Sequence, residues 1–210
     1  MELVQLLGAV VGGYLLGCIP SAYWLVRWTT GQDIRRCGTG SVGAANAYEV
    51  TGRPWVGVVV ALADILKGYA AVQLAHLLGG TAEFRALATA AVMVVIGHNY
   101  NLFLGWAGGR GLAPAAGSLI AISWLPLLLW CLLWLTGYAA IRRNVHVGNM
   151  AGTIGTPILI ATAPEPLVRL LLQVPCPSIL QHTLFVVALA FPIFLRHLQP
   201  IRELFRQEEP

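Results

Sequence analysis

Charge is what this chain has least of. Only 10% of its 210 residues are Asp, Glu, Lys or Arg, 57% are hydrophobic and the mean hydropathy is +0.72, whereas a soluble domain carries about 25% charged residues. So few ionisable groups exclude an ordinary soluble domain. Their scatter between apolar runs argues against nucleic acid as a partner, which needs clustered cations. The aliphatic runs lack period-two alternation, which argues against a transmembrane β-barrel. The four cysteines, Cys18, Cys37, Cys131 and Cys176, form no CxxC pair and no spacing with histidine that would hold a metal, so they read as buried hydrophobes or inert thiols. A Walker A motif is missing, as is a strand ahead of any glycine-rich turn. No basic stretch precedes the first apolar run, which is therefore expected to be retained. What remains is an all-α polytopic integral membrane protein, read as a single domain over residues 1–210.

Hydrophobic runs of about 20 residues, the length a helix needs to cross a bilayer, are expected over 3–26, 54–78, 85–104 and 179–195, with a shorter one over 148–163. The first carries Gly12, Gly13 and Gly17, a small-residue face for close packing. The stretch 112–141 is too long for one crossing: at 1.5 Å per residue it would measure about 45 Å against a hydrocarbon core of about 30 Å. Ser123-Trp124-Leu125-Pro126 interrupts it, so a hairpin of two short helices is expected, giving about seven transmembrane helices, or five crossings if the hairpin is re-entrant. A short amphipathic piece over 167–173 lies outside the spans.

The polar residues that do occur are concentrated. Asp33-Ile34-Arg35-Arg36-Cys37-Gly38-Thr39-Gly40-Ser41-Val42-Gly43-Ala44-Ala45-Asn46 combines glycines at 38, 40 and 43 with Arg35, Arg36, Thr39, Ser41 and Asn46. Glycines let the backbone turn its N–H groups toward a ligand, and the side chains add donors and fixed positive charge, a combination suited to phosphate. Arg53 follows downstream. A second loop of the same character, Gly105-Trp106-Ala107-Gly108-Gly109-Arg110-Gly111, comes after the polar helix end Gly97-His98-Asn99-Tyr100-Asn101. Inside the second span sit Asp64 and Lys67, on one helix face at i, i+3. They read equally as a mutually neutralising pair or as electrostatic support for the phosphate site.

Arg27, Arg35, Arg36, Arg53, Arg110, Arg142, Arg143, Arg196, Arg202 and Arg206 collect on one side of this arrangement. The other side keeps Arg85 and Arg169 with Glu2, Glu83 and Glu165. The positive-inside bias makes the first side cytoplasmic, with the N-terminus outside and the C-terminus inside. Both glycine loops then face the cytoplasm and are expected to meet in one anion pocket.

Several spaced motifs resemble the bacterial acyl-phosphate-dependent glycerol-3-phosphate acyltransferases, the PlsY family. They are Gly-Tyr-Leu-Leu-Gly at 13–17, Ile19-Pro20-Ser21, Asp33-Ile34-Arg35, Gly38 through Asn46, Asp64-Ile65-Leu66-Lys67-Gly68, Gly97-His98 and Gly108-Gly109-Arg110-Gly111, with Arg196-His197 near the end. The resemblance implies a bacterial inner-membrane enzyme that passes an acyl group from acyl phosphate to the 1-hydroxyl of glycerol 3-phosphate, giving lysophosphatidic acid and phosphate without a cofactor or metal. It implies membrane lipid and an upstream acyl-phosphate-forming enzyme as partners. It places Thr39, His98, Arg110 and His197 in catalysis. Arg35, Arg36, Gly38, Gly40, Ser41, Gly43, Asn46, Gly108, Gly109 and Gly111 would bind phosphate, with Asp64, Lys67 and Arg53 in support. Thr39 stands where the family has serine, Ser41 where it has asparagine and Arg110 where it has lysine. Glu49, Ala107 and Pro200 replace an arginine, a lysine and an asparagine of the family pattern. Alternatives are a homologue acting on another phosphorylated lipid precursor, a transporter of phosphorylated metabolites, and a catalytically silent assembly subunit.

Overall fold

The computed structural model describes residues 2–79, 84–141 and 143–206. Glu83, Arg142, Glu208 and Glu209 lie outside the described residues, as do the side chains of Glu2 and Arg206. Ten α-helices and two short 3-10 turns make up the regular structure among the described residues. Four stretches, Leu3–Thr30, Pro54–Leu78, Phe84–Leu104 and Ile179–Arg202, are long and apolar enough to cross a membrane. The chain divides into two compact units, Met1–Ala121 and Ile122–Pro210.

In the first unit, the span expected over 3–26 is present within Leu3–Thr30, but it is broken into α1 (Glu2–Gly17) and α2 (Ser21–Thr30). Pro20 is the cause, because it has no N–H to give and its ring clashes with the preceding turn. A broken helix in lipid exposes carbonyls that must find donors, and here two distant side chains supply them. Asn101 Nδ2 donates to the Cys18 carbonyl at 2.8 Å and Lys67 Nζ to the Ile19 carbonyl at 3.2 Å. The polar region between the first two apolar runs is ordered as well. It holds a 3-10 turn at Ile34–Arg36 and α3 (Ala44–Thr51).

The unit continues with α4 (Pro54–Gly79), α5 (Phe84–Asn99), a 3-10 turn at Leu102–Leu104 and the start of α6 (Leu112–Ile122). Small residues let these helices touch backbone to backbone. Gly13 and Gly17 of α1 lie against Ala90 and Val94 of α5, Gly97 of α5 lies against Tyr14, and Gly12 faces Leu74 of α4. Gly68 and Gly117 make an equally close crossing of α4 with α6, which Ser118 Oγ ties by donating to the Pro114 and Gly68 carbonyls at 3.0 and 3.3 Å. At one end a small core joins Ala22, Val26, Ile34, Val42, Ala47, Val56, Val60 and Leu104. Both polar loops are anchored there, the first through Ile34 and Val42 and the second through the turn that ends in Leu104.

In the second unit, α7 (Trp124–Ala140), α8 (Val145–Thr162), α9 (Glu165–Leu170) and α10 (Ile179–Arg206) follow. The break expected near Ser123 is present, with Ser123 in an extended conformation. Its neighbours are satisfied by the chain at 171–173, since Trp124 N donates to Leu171 O and Gln173 N to Ile122 O, both at 2.9 Å. Gly148 and Gly152 of α8 seat Trp134 and Trp130 of α7, and Trp134 Nε1 donates to Asn149 Oδ1 at 2.9 Å. The last helix runs on through Pro192 and Pro200 to Arg206, so the basic stretch from Arg196, expected beyond the span, is helical.

Candidate active site

The first loop is held from within by Asn46, which is 3% exposed. Its Oδ1 accepts from Thr39 N at 2.9 Å, and its Nδ2 donates to the carbonyls of Ser41 and Cys37 at 2.9 and 3.1 Å. Both ends of the carboxamide are therefore used on the loop itself, so Asn46 shapes the site rather than offering a side-chain donor to a phosphate. Gly38 and Gly40 have φ of +55° and +69°, a left-handed conformation that glycine alone adopts without strain. A Cβ on Gly38 would also strike Asn46 Oδ1. The result is an exposed turn carrying Thr39, with Ser41 beside it, ahead of Gly43 and the N-terminus of α3, where first-turn N–H groups lack helical acceptors.

Arg35 is committed as well. Its Nε and Nη2 donate to Asp33 at 2.9 and 2.6 Å, its Nη1 donates to the Leu104 carbonyl at 3.1 Å, and its guanidinium carbon lies 5.4 Å from the Tyr23 ring centroid. Every nitrogen of the guanidinium has a protein acceptor. Arg35 thus braces the two loops against each other, where the sequence reading made it a phosphate ligand. The pairing holds the Asp33 carboxyl at about 2, below its usual range, and raises the Arg35 pKa. Arg36 is exposed next to it, and Arg53 is exposed just before α4.

The second loop closes onto the first. Val42 N donates to the Gly108 carbonyl at 3.0 Å and Gly109 N to the His98 carbonyl at 3.0 Å. A Cβ on Gly108 would meet the carbonyls of His98 and Asn99, and one on Gly109 would meet His98 Nε2 and the Val42 carbonyl. Glycine is required at both places by close approach. Arg110, half-buried, and Gly111, with φ of +84°, then lead into α6. The expected convergence of residues near 40 and near 110 is thus present, through a direct backbone hydrogen bond.

Beneath the junction lies a buried polar cluster. Asp64 Oδ1 accepts from Lys67 Nζ at 2.9 Å and from Ser21 Oγ at 2.6 Å, and Lys67 Nζ lies 2.9 Å from His98 Nδ1. The pair expected at i, i+3 therefore neutralises itself and also reaches His98. Ser21 and Asn101 stand in the sequence only as members of the Ile19-Pro20-Ser21 motif and the polar helix end, with no role of their own. Their signals were Pro20, which makes a helix break needing donors, and the polar helix end at 97–101. His197 belongs to the second unit. It is fully buried there, where Asn149 Nδ2 meets its Nε2 at 3.2 Å and its Nδ1 meets the Ile193 carbonyl at 2.8 Å. It ties α8 to α10.

On the outer face of α2 and α4, a groove of about 350 Å³ is lined by Trp24, Leu25, Trp28, Val59, Val60 and Ala63, with Ser21 as its polar member. It is almost wholly apolar, and the Ser21 hydroxyl connects its wall to Asp64.

A family model described as glycerol-3-phosphate acyltransferase matches residues 7–207. A glycerol-3-phosphate acyltransferase of Synechococcus sp. (strain JA-2-3B'a(2-13)) is 40% identical over 163 residues, 78% of this chain and 79% of that one. Its counterpart in Paramagnetospirillum magneticum is 35% identical over 209 residues, 99% of this chain and 94% of its own. Two crystal structures of the integral membrane glycerol 3-phosphate acyltransferase PlsY superpose well. The glycerol 3-phosphate form has a TM-score of 0.78 at 27% identity and the lysophosphatidic acid form 0.75 at 26%, each covering 98% of this chain and 94% of that one. With an all-helical fold, apolar spans and matches over nearly its whole length, this chain belongs to the glycerol-3-phosphate acyltransferase family of integral membrane enzymes.

Proposed function

We propose that this protein transfers a fatty acyl group from acyl phosphate to the 1-hydroxyl of glycerol 3-phosphate, releasing phosphate and lysophosphatidic acid. The observation that carries the reading is the Val42–Gly108 hydrogen bond, because it makes one pocket from two glycine-rich loops and so allows two phosphate groups to be held side by side. Backbone N–H groups, the hydroxyls of Thr39 and Ser41, and the cations Arg36 and Arg110 are the donors to those phosphates. The acyl chain lies in the apolar groove between α2 and α4. The acceptor hydroxyl attacks the acyl carbonyl carbon, the bond from that carbon to the phosphate oxygen breaks, and the departing phosphate takes the hydroxyl proton. Positioning and charge stabilisation then supply the rate enhancement. The enzyme works at the cytoplasmic face of a bacterial inner membrane, with seven crossings, the N-terminus outside and the C-terminus cytoplasmic. An acyl-phosphate-forming enzyme upstream supplies the donor. The names of the curated relatives and the two ligand forms of the PlsY structures support this reading.

The test is incubation of purified protein with palmitoyl phosphate and glycerol 3-phosphate, following inorganic phosphate and lysophosphatidate together. Equal amounts of both products are expected. Phosphate without lysophosphatidate, or neither product, overturns the proposal.

A further inference from the structure

Lys67 has three hydrogens to give, and the fold sets three polar atoms around it: Asp64 Oδ1 at 2.9 Å, the Ile19 carbonyl at 3.2 Å and His98 Nδ1 at 2.9 Å. Two of these define the third. The Asp64 carboxylate accepts one hydrogen of the ammonium, and the Ile19 carbonyl, which also accepts from Ser21 N at 3.1 Å, takes another. An ammonium has no lone pair, so its short contact with His98 requires a lone pair on Nδ1. The imidazole hydrogen is then on Nε2. Asp64 does not compete for the ring: its Oδ1 lies 3.8 Å from Nδ1 and already accepts from Ser21 at 2.6 Å and from Lys67. The Nε2 so protonated is the atom packed against Gly109, in the space where any Cβ would go and on the side of the Val42 carbonyl.

We propose that Lys67 is a positioning residue that fixes His98 as a hydrogen-bond donor at Nε2, directed at the joined loops. The inference rests on the acyl-transfer reading of that pocket. It deepens that reading by removing His98 as the base for the acceptor hydroxyl. Its Nδ1 lone pair is occupied by Lys67, and Nε2 already bears a hydrogen, so the proton goes to the departing phosphate. His98 instead steadies the second loop, with its Nε2 against Gly109 and on the side of the Val42 carbonyl.

The full-length protein is labelled with ¹⁵N-histidine in detergent micelles. The signal of His98 among the five histidines is assigned by its loss in His98→Gln. A protonated Nε2 and an unprotonated Nδ1 are expected near neutral pH. In Lys67→Met the ring is expected to show a mixture of tautomers, with KM for glycerol 3-phosphate raised about 10-fold and kcat changed less than about 3-fold. Lys67→Met leaves Asp64 buried without its counter-charge. The double variant Asp64→Asn with Lys67→Met removes both charges and is expected to show the same spectral change. A protonated Nδ1 in the unaltered protein, or an unchanged His98 spectrum in both variants, overturns the inference. The spectrum is read without substrate, so an inactive protein with the expected tautomer would sink the functional reading alone. An active enzyme with hydrogen on Nδ1 would sink this inference alone.

Discussion

The backbone N–H of Val42 donates to the carbonyl of Gly108 at 3.0 Å, joining two loops that lie 66 residues apart in the chain. A single peptide-to-peptide bond of this kind contributes only about 1 kcal/mol. It holds because the core made by Ile34, Val42 and Leu104 with α2, α3 and α4 has already brought both loops to one place. The core sets the distance and the hydrogen bond sets the register.

That register leaves no room at Gly109, where a Cβ would overlap His98 Nε2 and crowd the Val42 carbonyl. Gly109→Ala must therefore push the second loop away from the first. Displacing a substrate-positioning loop by about 1 Å can cost about 100-fold in rate. Acyl transfer by Gly109→Ala in purified enzyme is expected to fall by at least that factor, with little change in melting temperature. Activity within about 3-fold of the unaltered enzyme would show that the tight approach is incidental.

Asn46 stitches its own loop rather than reaching a ligand. Asn46→Ala orphans the Thr39 N–H and the carbonyls of Cys37 and Ser41, a loss of about 2–4 kcal/mol if water replaces them incompletely. A lower melting temperature and a higher KM for glycerol 3-phosphate are expected together. Asn46→Asp should do no better, because a carboxylate has no hydrogen for the two carbonyls. An unchanged melting temperature with a raised KM would return Asn46 to the list of direct phosphate ligands.

Asp33 provides a pH signature. The hydrogen bonds from Arg35 lower its carboxyl to about 2, below the roughly 3.9 of an unfolded chain. A depressed carboxyl stabilises the fold above its unfolded value and loses that contribution as pH falls through the folded one. The melting temperature of Asp33→Asn is therefore expected to lie below that of the unaltered protein at pH ~7 and to converge with it between about pH 4 and pH 2. A constant gap across that range would show that the Asp33 charge has no part in holding Arg35.

Pro20 shows how far the sequence could be read and where it stopped. The apolar runs, the break at Ser123 and the packing glycines Gly13 and Gly17 were legible because each follows from hydropathy, length or the absence of a side chain. The helix break at Pro20 was legible in principle, yet hydropathy stays high over 3–26, and Gly17, Pro20 and Ser21 are too few to interrupt it. The short helix at Ala44–Thr51 was hidden by its polar, glycine-flanked surroundings. In the site, the chemistry of the loops could be read, but the division of labour could not. Whether Arg35 and Asn46 face a ligand or the protein depends on Asp33, Leu104 O, Thr39 N and Cys37 O standing nearby, and only the fold decides that. Lys67 with Asp64 was visible as a pair, but His98 as its third partner was not, since it comes from another helix 31 residues away.

The groove beside Ser21 predicts chain-length selectivity. Ala63 is its smallest lining residue and immediately precedes Asp64. Ala63→Trp should fill much of the ~350 Å³ and act on the acyl chain rather than on the phosphates. Each buried methylene is worth about 0.8 kcal/mol. Excluding three or four of them would therefore raise KM for palmitoyl phosphate on the order of 100-fold, and KM for a short-chain acyl phosphate far less. Equal effects on both donors would place the acyl chain elsewhere.

Arg110 is the cation that the second loop brings to the junction, half-buried and one residue before the glycine that opens α6. Arg35, whose charge is matched by Asp33, cannot substitute for it. On the proposed function, the negative charge gathered when two phosphate groups share one pocket is left to Arg110, Arg36 and the loop N–H groups. Arg110→Ala is expected to abolish measurable lysophosphatidate formation, a loss of roughly 1,000-fold or more for a charged donor at the reacting centre. Arg110→Lys should retain a measurable fraction, because it keeps the charge and loses only the two-pronged geometry of the guanidinium. Near-normal turnover by Arg110→Ala would remove this residue from the chemistry and leave Arg36 and the backbone to carry the phosphates.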